Sequence, residues 1–165
     1  MTDEHGPPFT EVKAKRPADK VPIQFDWHDY LANDWQAGVR YELGERLRPI
    51  RALATGFEYE VTAAGTTGRR RPAFPSVLDA VVTSGSVSLT ARAITAASLR
   101  ANITTSSFPA VSGLTLSDES NDDLVYTIYA AGGTDGSRYE VKHQITLSNA
   151  PGEIKEGVAL LPVLD

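Results

Sequence analysis

Arg138-Tyr139-Glu140-Val141-Lys142-His143-Gln144-Ile145-Thr146-Leu147 is the stretch that decides the fold class. Tyr139, Val141, His143, Ile145 and Leu147 fall on one face; Glu140, Lys142, Gln144 and Thr146 fall on the other. A period of two is the mark of a half-buried strand. His143 shares the apolar face, so it reads as a core residue rather than a catalytic base.

Working outward, the same period recurs. Phe57, Tyr59 and Val61 alternate with Glu58, Glu60 and Thr62, and Val87 and Leu89 with Ser86, Ser88 and Thr90. Leu124–Tyr129 is β-branched and aromatic, and Val158–Leu164 reads as a last strand with Pro162 favouring an edge. Gly132-Gly133-Thr134-Asp135-Gly136 reads as a hairpin loop, and Asn149-Ala150-Pro151-Gly152 and Thr83-Ser84-Gly85-Ser86 as turns. Leu43–Leu53 holds good helix formers, but Gly44 and Pro49 argue against a helix; Ala91–Ala101 fits a strand or a short helix. In Val21–Asp34, Asp26 or Asp29 is placed to cap a short helical turn. Short strands at this spacing predict an all-β chain, a sandwich or small barrel.

The 165 residues suffice for a core without staples, and there is no cysteine, which excludes disulfides and thiolate chemistry. No apolar run approaches the ~18 residues of a membrane span. Met1–Lys20 is polar, contains Pro7, Pro8 and Pro17, and lacks the apolar stretch of a secretory signal; it reads as an extended arm. Net charge is -5 overall, but -3 over residues 1–34, +3 over 35–92 and -5 over 93–165. A basic middle between acidic flanks suggests a separate unit, and it is too mildly positive for a nucleic-acid binder.

The patterns of catalysis are missing. His5, His28 and His143 have no metal-ligand spacing, and no serine sits in a G-x-S-x-G context. His28, near Asp26 and Asp29, reads as part of a capped polar turn rather than an oriented base. Ser117–Asp123 reads as a solvated acidic turn without the EF-hand spacing for calcium. Arg69, Arg70 and Arg71, after Gly65-Thr66-Thr67-Gly68, form a candidate basic docking loop and lack the Walker ending. No catalytic, cofactor-binding or metal residue is expected, and no cofactor.

Two nested resemblances follow. Phe25-Asp26-Trp27-x-x-Tyr30-Leu31-Ala32, Ser112-Gly113-Leu114-Thr115, Ala131-Gly132-Gly133-Thr134-Asp135-Gly136-x-x-Tyr139-x-Val141 and Ile145-Thr146 together resemble small immunoglobulin-like modules in structural proteins of tailed bacteriophages. Between them, Trp35-x-x-Gly38-x-x-Tyr41-x-Leu43-Gly44-x-x-Leu47-x-Pro49, Gly56-Phe57-x-Tyr59-x-Val61-Thr62, Pro72-x-Phe74-Pro75 and Ser84-Gly85-Ser86-Val87 are similar to a small β module of phage tail and virion proteins, akin to chitin-binding modules. Phe74 and Leu89 stand where that pattern commonly has tryptophan.

The resemblance implies an immunoglobulin-like β-sandwich (21–34 plus 93–165), an inserted small β module (35–92) and an arm (1–20); one continuous sandwich is the alternative. It implies a non-enzymatic virion protein, accessory to the capsid or head–tail junction. Its partners would be capsid, connector or tail subunits, in a homo-oligomeric assembly, without nucleic acid or membrane. In that reading Lys13, Lys15, Arg16 and Lys20 anchor the arm to a neighbour. The alternative is a carbohydrate-binding adhesion module contacting surface glycan through Trp35, Tyr41, Tyr59 and Phe74, which otherwise build the small module's core.

Overall fold

The computed structural model describes residues 7–49 and 55–164. Strands β1 (Phe9–Glu11) and β2 (Val21–Asp26) open the chain, followed by one helical turn, α1 (His28–Leu31). Then come β3 (Arg40–Tyr41), β4 (Arg46–Leu47), β5 (Glu58–Ala63), β6 (Gly65–Thr66), β7 (Val81–Ser84) and β8 (Val87–Arg92). A 3-10 turn at Ala96–Ser98 precedes β9 (Ile103–Ser107), β10 (Leu114–Asp122), β11 (Val125–Gly132), β12 (Arg138–Leu147) and β13 (Ala150–Pro162). The chain forms two compact units. The first takes the chain up to Tyr30 and again from Ile103; the second is Leu31–Asn102.

The first unit is a sandwich of a four-stranded sheet, β1-β13-β12-β9, and a three-stranded sheet, β10-β11-β2. Alternation builds its core. Val141, His143, Ile145 and Leu147 of β12 are buried, with Ile23 and Phe25 of β2, Ile128 and Ala130 of β11 and Ala159 and Leu161 of β13. Each large side chain sealed this way stabilises by roughly 1.5–3 kcal/mol. Phe25 reaches across the sandwich, its ring centroid 5.6 Å from that of His143 and 5.8 Å from that of Phe108. Gly157 on β13 makes room for it, since a Cβ there would lie 2.9 Å from Phe25 Cδ1.

Several sequence expectations for this unit are corrected. Residues 132–136 do not close a hairpin: β11 pairs with β10 and β2, and β12 with β13 and β9, so the loop carries the chain from one sheet to the other. Gly132 and Gly133 in succession at φ 82° and 99° make that corner, which a side-chain-bearing residue adopts only under strain. The Ser117–Asp123 stretch is mostly strand, the outer β10, with a register shift between Ser117 and Ser120; its tight turn is Asp123-Leu124. The β12–β13 turn is Ser148-Asn149, and Pro151 and Gly152 already lie in β13.

Pro162 is not on an edge either. β1 runs parallel to β13, Phe9 opposite Val158 and Glu11 opposite Leu160, and Lys15 bridges to Val163. The Val12 and Lys15 amides donate to the Leu160 and Pro162 carbonyls, so three steps of the arm span two of β13. The arm bulges where Pro162 has no N–H to give.

The second unit has its own core. Sheet β4-β5-β8-β7 and the pair β3-β6 enclose Trp35, Tyr41, Leu47, Tyr59, Val61, Val87, Leu89 and Ala91, with Phe57, Phe74 and Val82 packed alongside. β7 and β8 are joined through Gly85-Ser86, Gly85 lying at φ 62°. Ala91–Ala101 resolves into the end of β8 and the 3-10 turn, whose Ala97 amide is capped by the Thr95 hydroxyl. Residues 50–53 of the Leu43–Leu53 stretch lie outside the described residues; within its described part β4 is extended.

Candidate docking surfaces

Trp35, Tyr41 and Tyr59 are buried and Phe74 is half-buried. Their polar atoms are spent internally. The Trp35 indole N–H donates to Ser84 Oγ at 3.1 Å, the Tyr41 hydroxyl accepts from the Gln36 amide and donates to the Asp34 carbonyl, and the Tyr59 hydroxyl donates to the Pro75 carbonyl. Burial pushes the Tyr41 and Tyr59 phenols up. Phe74 packs on Tyr59, centroids 4.6 Å apart. A sugar platform needs ring faces in water, and these rings face the core. Core packing is therefore where the structure places them.

The basic loop divides. Arg69 and Arg70 are exposed, whereas Arg71 turns inward to grip both Asp34 carboxylate oxygens at 2.8 and 2.7 Å and lies 5.6 Å over the Trp35 ring. The planar fork suits a bidentate carboxylate and a stacked indole together. Arg71 is thus a structural brace, and the docking charge of the loop is that of Arg69 and Arg70.

The arm divides too. Lys15 is buried, its ammonium donating to the carbonyls of Arg16 at 2.8 Å, Asp19 at 3.0 Å and Gly132 at 2.6 Å. It ties the arm to the inter-sheet corner of its own unit, so Lys15 is corrected from intermolecular anchor to internal staple. Lys20 is exposed but paired with Asp118 and set 5.4 Å from the Tyr129 ring centroid. Lys13 and Arg16 present their side chains outward. The period-two pattern carries no trace of Lys15's burial, because the cage is made of backbone carbonyls, those of Arg16 and Asp19 in the arm itself and that of Gly132 far along the chain, and no side-chain pattern marks them.

One charged constellation escaped the sequence reading. Glu58, assigned to a polar face by alternation, is fully buried. Arg46 donates to it, as do the Thr95 amide at 2.7 Å and the Thr95 hydroxyl at 2.9 Å. Burial by itself would raise this carboxyl; the Arg46, Thr95 and Ser98 hydrogen bonds outweigh burial and hold it below the ordinary range. Alongside, Arg92 bonds Glu60 at 2.7 Å, which lowers Glu60, and also pairs with Asp79. A ladder of alternating charge crosses the sheet from β4 to the start of β7.

The two described histidines are committed. Asp26 accepts the His28 amide at the start of α1 and its Nδ1–H at 2.7 Å, while His28 Nε2 meets Asp123 at 3.0 Å. Chiefly through the Asp26 hydrogen bond, His28 is raised above its ordinary value. It clamps the β10–β11 turn to the end of β2, and both ring nitrogens are engaged. His143 accepts the Trp27 indole N–H at Nδ1, 2.8 Å, which assigns its proton to Nε2, facing Ser106 Oγ at 3.0 Å. Burial pushes it down to about 4.

The free edges complete the surface. β7 has a sheet neighbour on one side, and Val77, Leu78 and Val81 at its start are exposed by 65%, 52% and 62%. β9 and β10 are outer strands of the first unit, one rich in Ser and Thr and the other acidic. Among the described residues no helix is long and apolar enough to cross a membrane.

Against known proteins, the family model described as podophage GP4 fiber-tail adaptor protein gp77 matches residues 76–162, just over half of the chain. The matched segment takes in β7 through β13. No curated protein and no solved structure matches.

Proposed function

The chain belongs to the podophage GP4 fiber-tail adaptor family, and from that premise we propose that it joins tail and fibre by protein–protein binding, without turnover. It is a structural protein of the phage virion, associated with the tail. The match over residues 76–162 is the observation that carries the reading. It favours the tail side over capsid decoration or a neck position. The glycan-binding alternative has weaker support, because Trp35, Tyr41 and Tyr59 are enclosed.

We read the first unit as immunoglobulin-like. Taking β2, β9, β10, β11, β12 and β13 as strands B to G gives sheets B-E-D and G-F-C, the arrangement of that fold. β1 departs from the constant-type pattern by joining the last strand in parallel. Tyr139, near the start of β12, accepts the Thr134 amide at 2.9 Å, as the tyrosine of an E–F corner does with upstream backbone. The second unit then occupies the B–C connection in sequence. Exposed Lys13 and Arg16 would steer this unit toward an acidic neighbour.

The test is assembly without the chain. Heads and tails are expected to form and fibres to be missing, with purified chain restoring them. Fully fibred particles in its absence would overturn the proposal. Leaking or headless particles would move the chain to the head–tail neck.

A further inference from the structure

Hairpin parity says which backbone groups of β7 face outward. Ser84 and Val87 close a two-residue loop, so that pair is hydrogen-bonded, and bonded pairs alternate with non-bonded ones along an antiparallel ladder. Val82 with Leu89 is then bonded too, and the Ala91 N–H donates to the Ala80 carbonyl at 2.9 Å in the same phase. Val81 and Thr83 fall between. Their N–H and C=O groups point away from β8, which is the only sheet neighbour of β7 among the described residues.

Native edges are blunted by charge, proline, bulges or brevity. β10 is acidic and bulged, β1 is three residues long behind Pro7-Pro8, and β9 beyond Ile103 presents only hydroxyl side chains. β7 has no such guard. Val81–Ser84 carries no charge and no proline, and exposed Val77, Leu78 and Val81 supply apolar surface at its start.

The unspent charge at this edge is positive. The Ser86 amide donates to the Thr66 carbonyl at 3.0 Å, and the Gly68 amide meets Ser84 Oγ at 3.3 Å. The chain thus crosses the hairpin tip from the β8 side to the β7 side, and exposed Arg69 and Arg70 follow, with no ion pair among the described residues. Asp79, at the start of β7, is already paired with Arg92.

The family match says that this hairpin matters beyond its own core. It begins at residue 76 and takes β7 and β8 but leaves out β3 to β5, whose Tyr41, Leu47, Tyr59 and Val61 complete the same core. What the family shares of the second unit is the hairpin that carries the open edge.

We propose that the β7 edge is the fibre-binding site, where an extended segment of the fibre protein adds to the sheet as a fifth strand; this rests on the adaptor reading above. Val81 and Thr83 each form a bonded pair with the incoming strand, donating and accepting once. Antiparallel pairing, the more stable kind, sets the start of that strand beside the hairpin tip. The segment therefore carries carboxylates just before its strand, against Arg69 and Arg70, and apolar side chains toward its end, against Val81 and its neighbours.

The experiment uses particles assembled without the chain, to which purified full-length chain is added. Two quantities are read: chain bound to tails, and fibres per particle. Thr83→Pro deletes an outward N–H and no ladder bond, so its unfolding midpoint should stay near that of the wild type. It should load onto tails normally yet hold at least about fivefold fewer fibres, whereas Thr83→Val should behave as wild type. Arg69→Glu with Arg70→Glu should also lose fibres, and wild-type attachment should weaken as salt rises. Hydrogen exchange of the wild type needs no variant: Val81 and Thr83 amides should gain protection on fibre attachment, while those of Val82 and Ser84 are slow throughout. Fibres at wild-type number on folded Thr83→Pro chain would overturn the proposal, and so would unchanged exchange at Val81 and Thr83. A Thr83→Pro chain that folds but does not load onto tails would assign the edge to the tail and remove the fibre as its occupant. If particles carry fibres without any chain, the adaptor reading itself fails, which is a separate result.

Discussion

His143 and His28 lie on opposite sides of the ordinary imidazole value, and pH acts on them in opposite directions. His143 is buried and neutral, its folded value about 4 against 6.5 in the open chain. Between those values the unfolded chain holds a proton that the native one does not, so the His143 contribution is full above 6.5 and declines as pH falls toward 4. The whole decline amounts to about 3 kcal/mol. Urea unfolding at stepped pH should show it, and His143→Gln, which keeps an acceptor for the Trp27 indole, should remove that part of the slope. His28 is raised, so its clamp on Asp26 and Asp123 is fully present below 6.5 and fades as pH rises through its folded value. The stability lost in His28→Asn should therefore be larger at pH 6 than at pH 9. If the deficit is the same at both, the charged form of His28 is not what holds the β10–β11 turn.

Among the elements, the corner between β11 and β12 concentrates the most constraint. Gly133 sits at φ 99°, and a Cβ there would come 2.8 Å from Val163 Cγ2 and 3.1 Å from the Tyr139 ring. Gly136, at φ 74°, has open space where its Cβ would stand. Gly133→Ala should cost at least about 2 kcal/mol, strain and clash together, while Gly136→Ala should cost about 1 kcal/mol from backbone strain alone. Tyr139→Phe, which removes the bond from the Thr134 amide, should cost about 1 kcal/mol. Chemical denaturation of the three variants ranks them, and equal costs at the two glycines would show that the packing around Gly133 yields. This corner also marks how far the sequence could be read. Alternation places β12 from Arg138 to Leu147 with its buried face correct, because one-sided burial writes itself into every second residue. The glycines announce a turn, but φ preference is local and does not say whether the next strand pairs beside the last or in the opposing sheet. For the same reason the acidic run at 117–123 reads as a turn: its polarity reports exposure, which an outer strand shares. Glu58 and Lys15 are illegible for a different reason, since the groups that satisfy them come from Arg46, Thr95 and Gly132.

At the scale of the molecule, the family match and the two compact units divide the chain differently. The match begins at residue 76, inside the second unit, and runs on through β13, so it takes β7 and β8 from one unit and β9 to β13 from the other. Each unit encloses a core of its own: Phe25, Ile128, Val141, Ile145 and Leu161 in the first, Trp35, Leu47, Tyr59, Val61 and Leu89 in the second. We propose that the first unit folds without the second. Among the described residues its seven strands form two sheets that take no strand from 31–102, and Lys15 staples the arm to it. Replacing 31–102 with a short Gly-Ser linker should therefore give a chain that unfolds in one cooperative transition, with the near-ultraviolet signal of a packed Trp27. The same chain should fail to support fibre attachment, because β7 and β8, part of what the family shares, are gone. Loss of cooperative unfolding would mean that the chain is one continuous folding unit. A folded remainder that still attaches fibres would place the adaptor surface wholly on β9 to β13 and leave the second unit to another task.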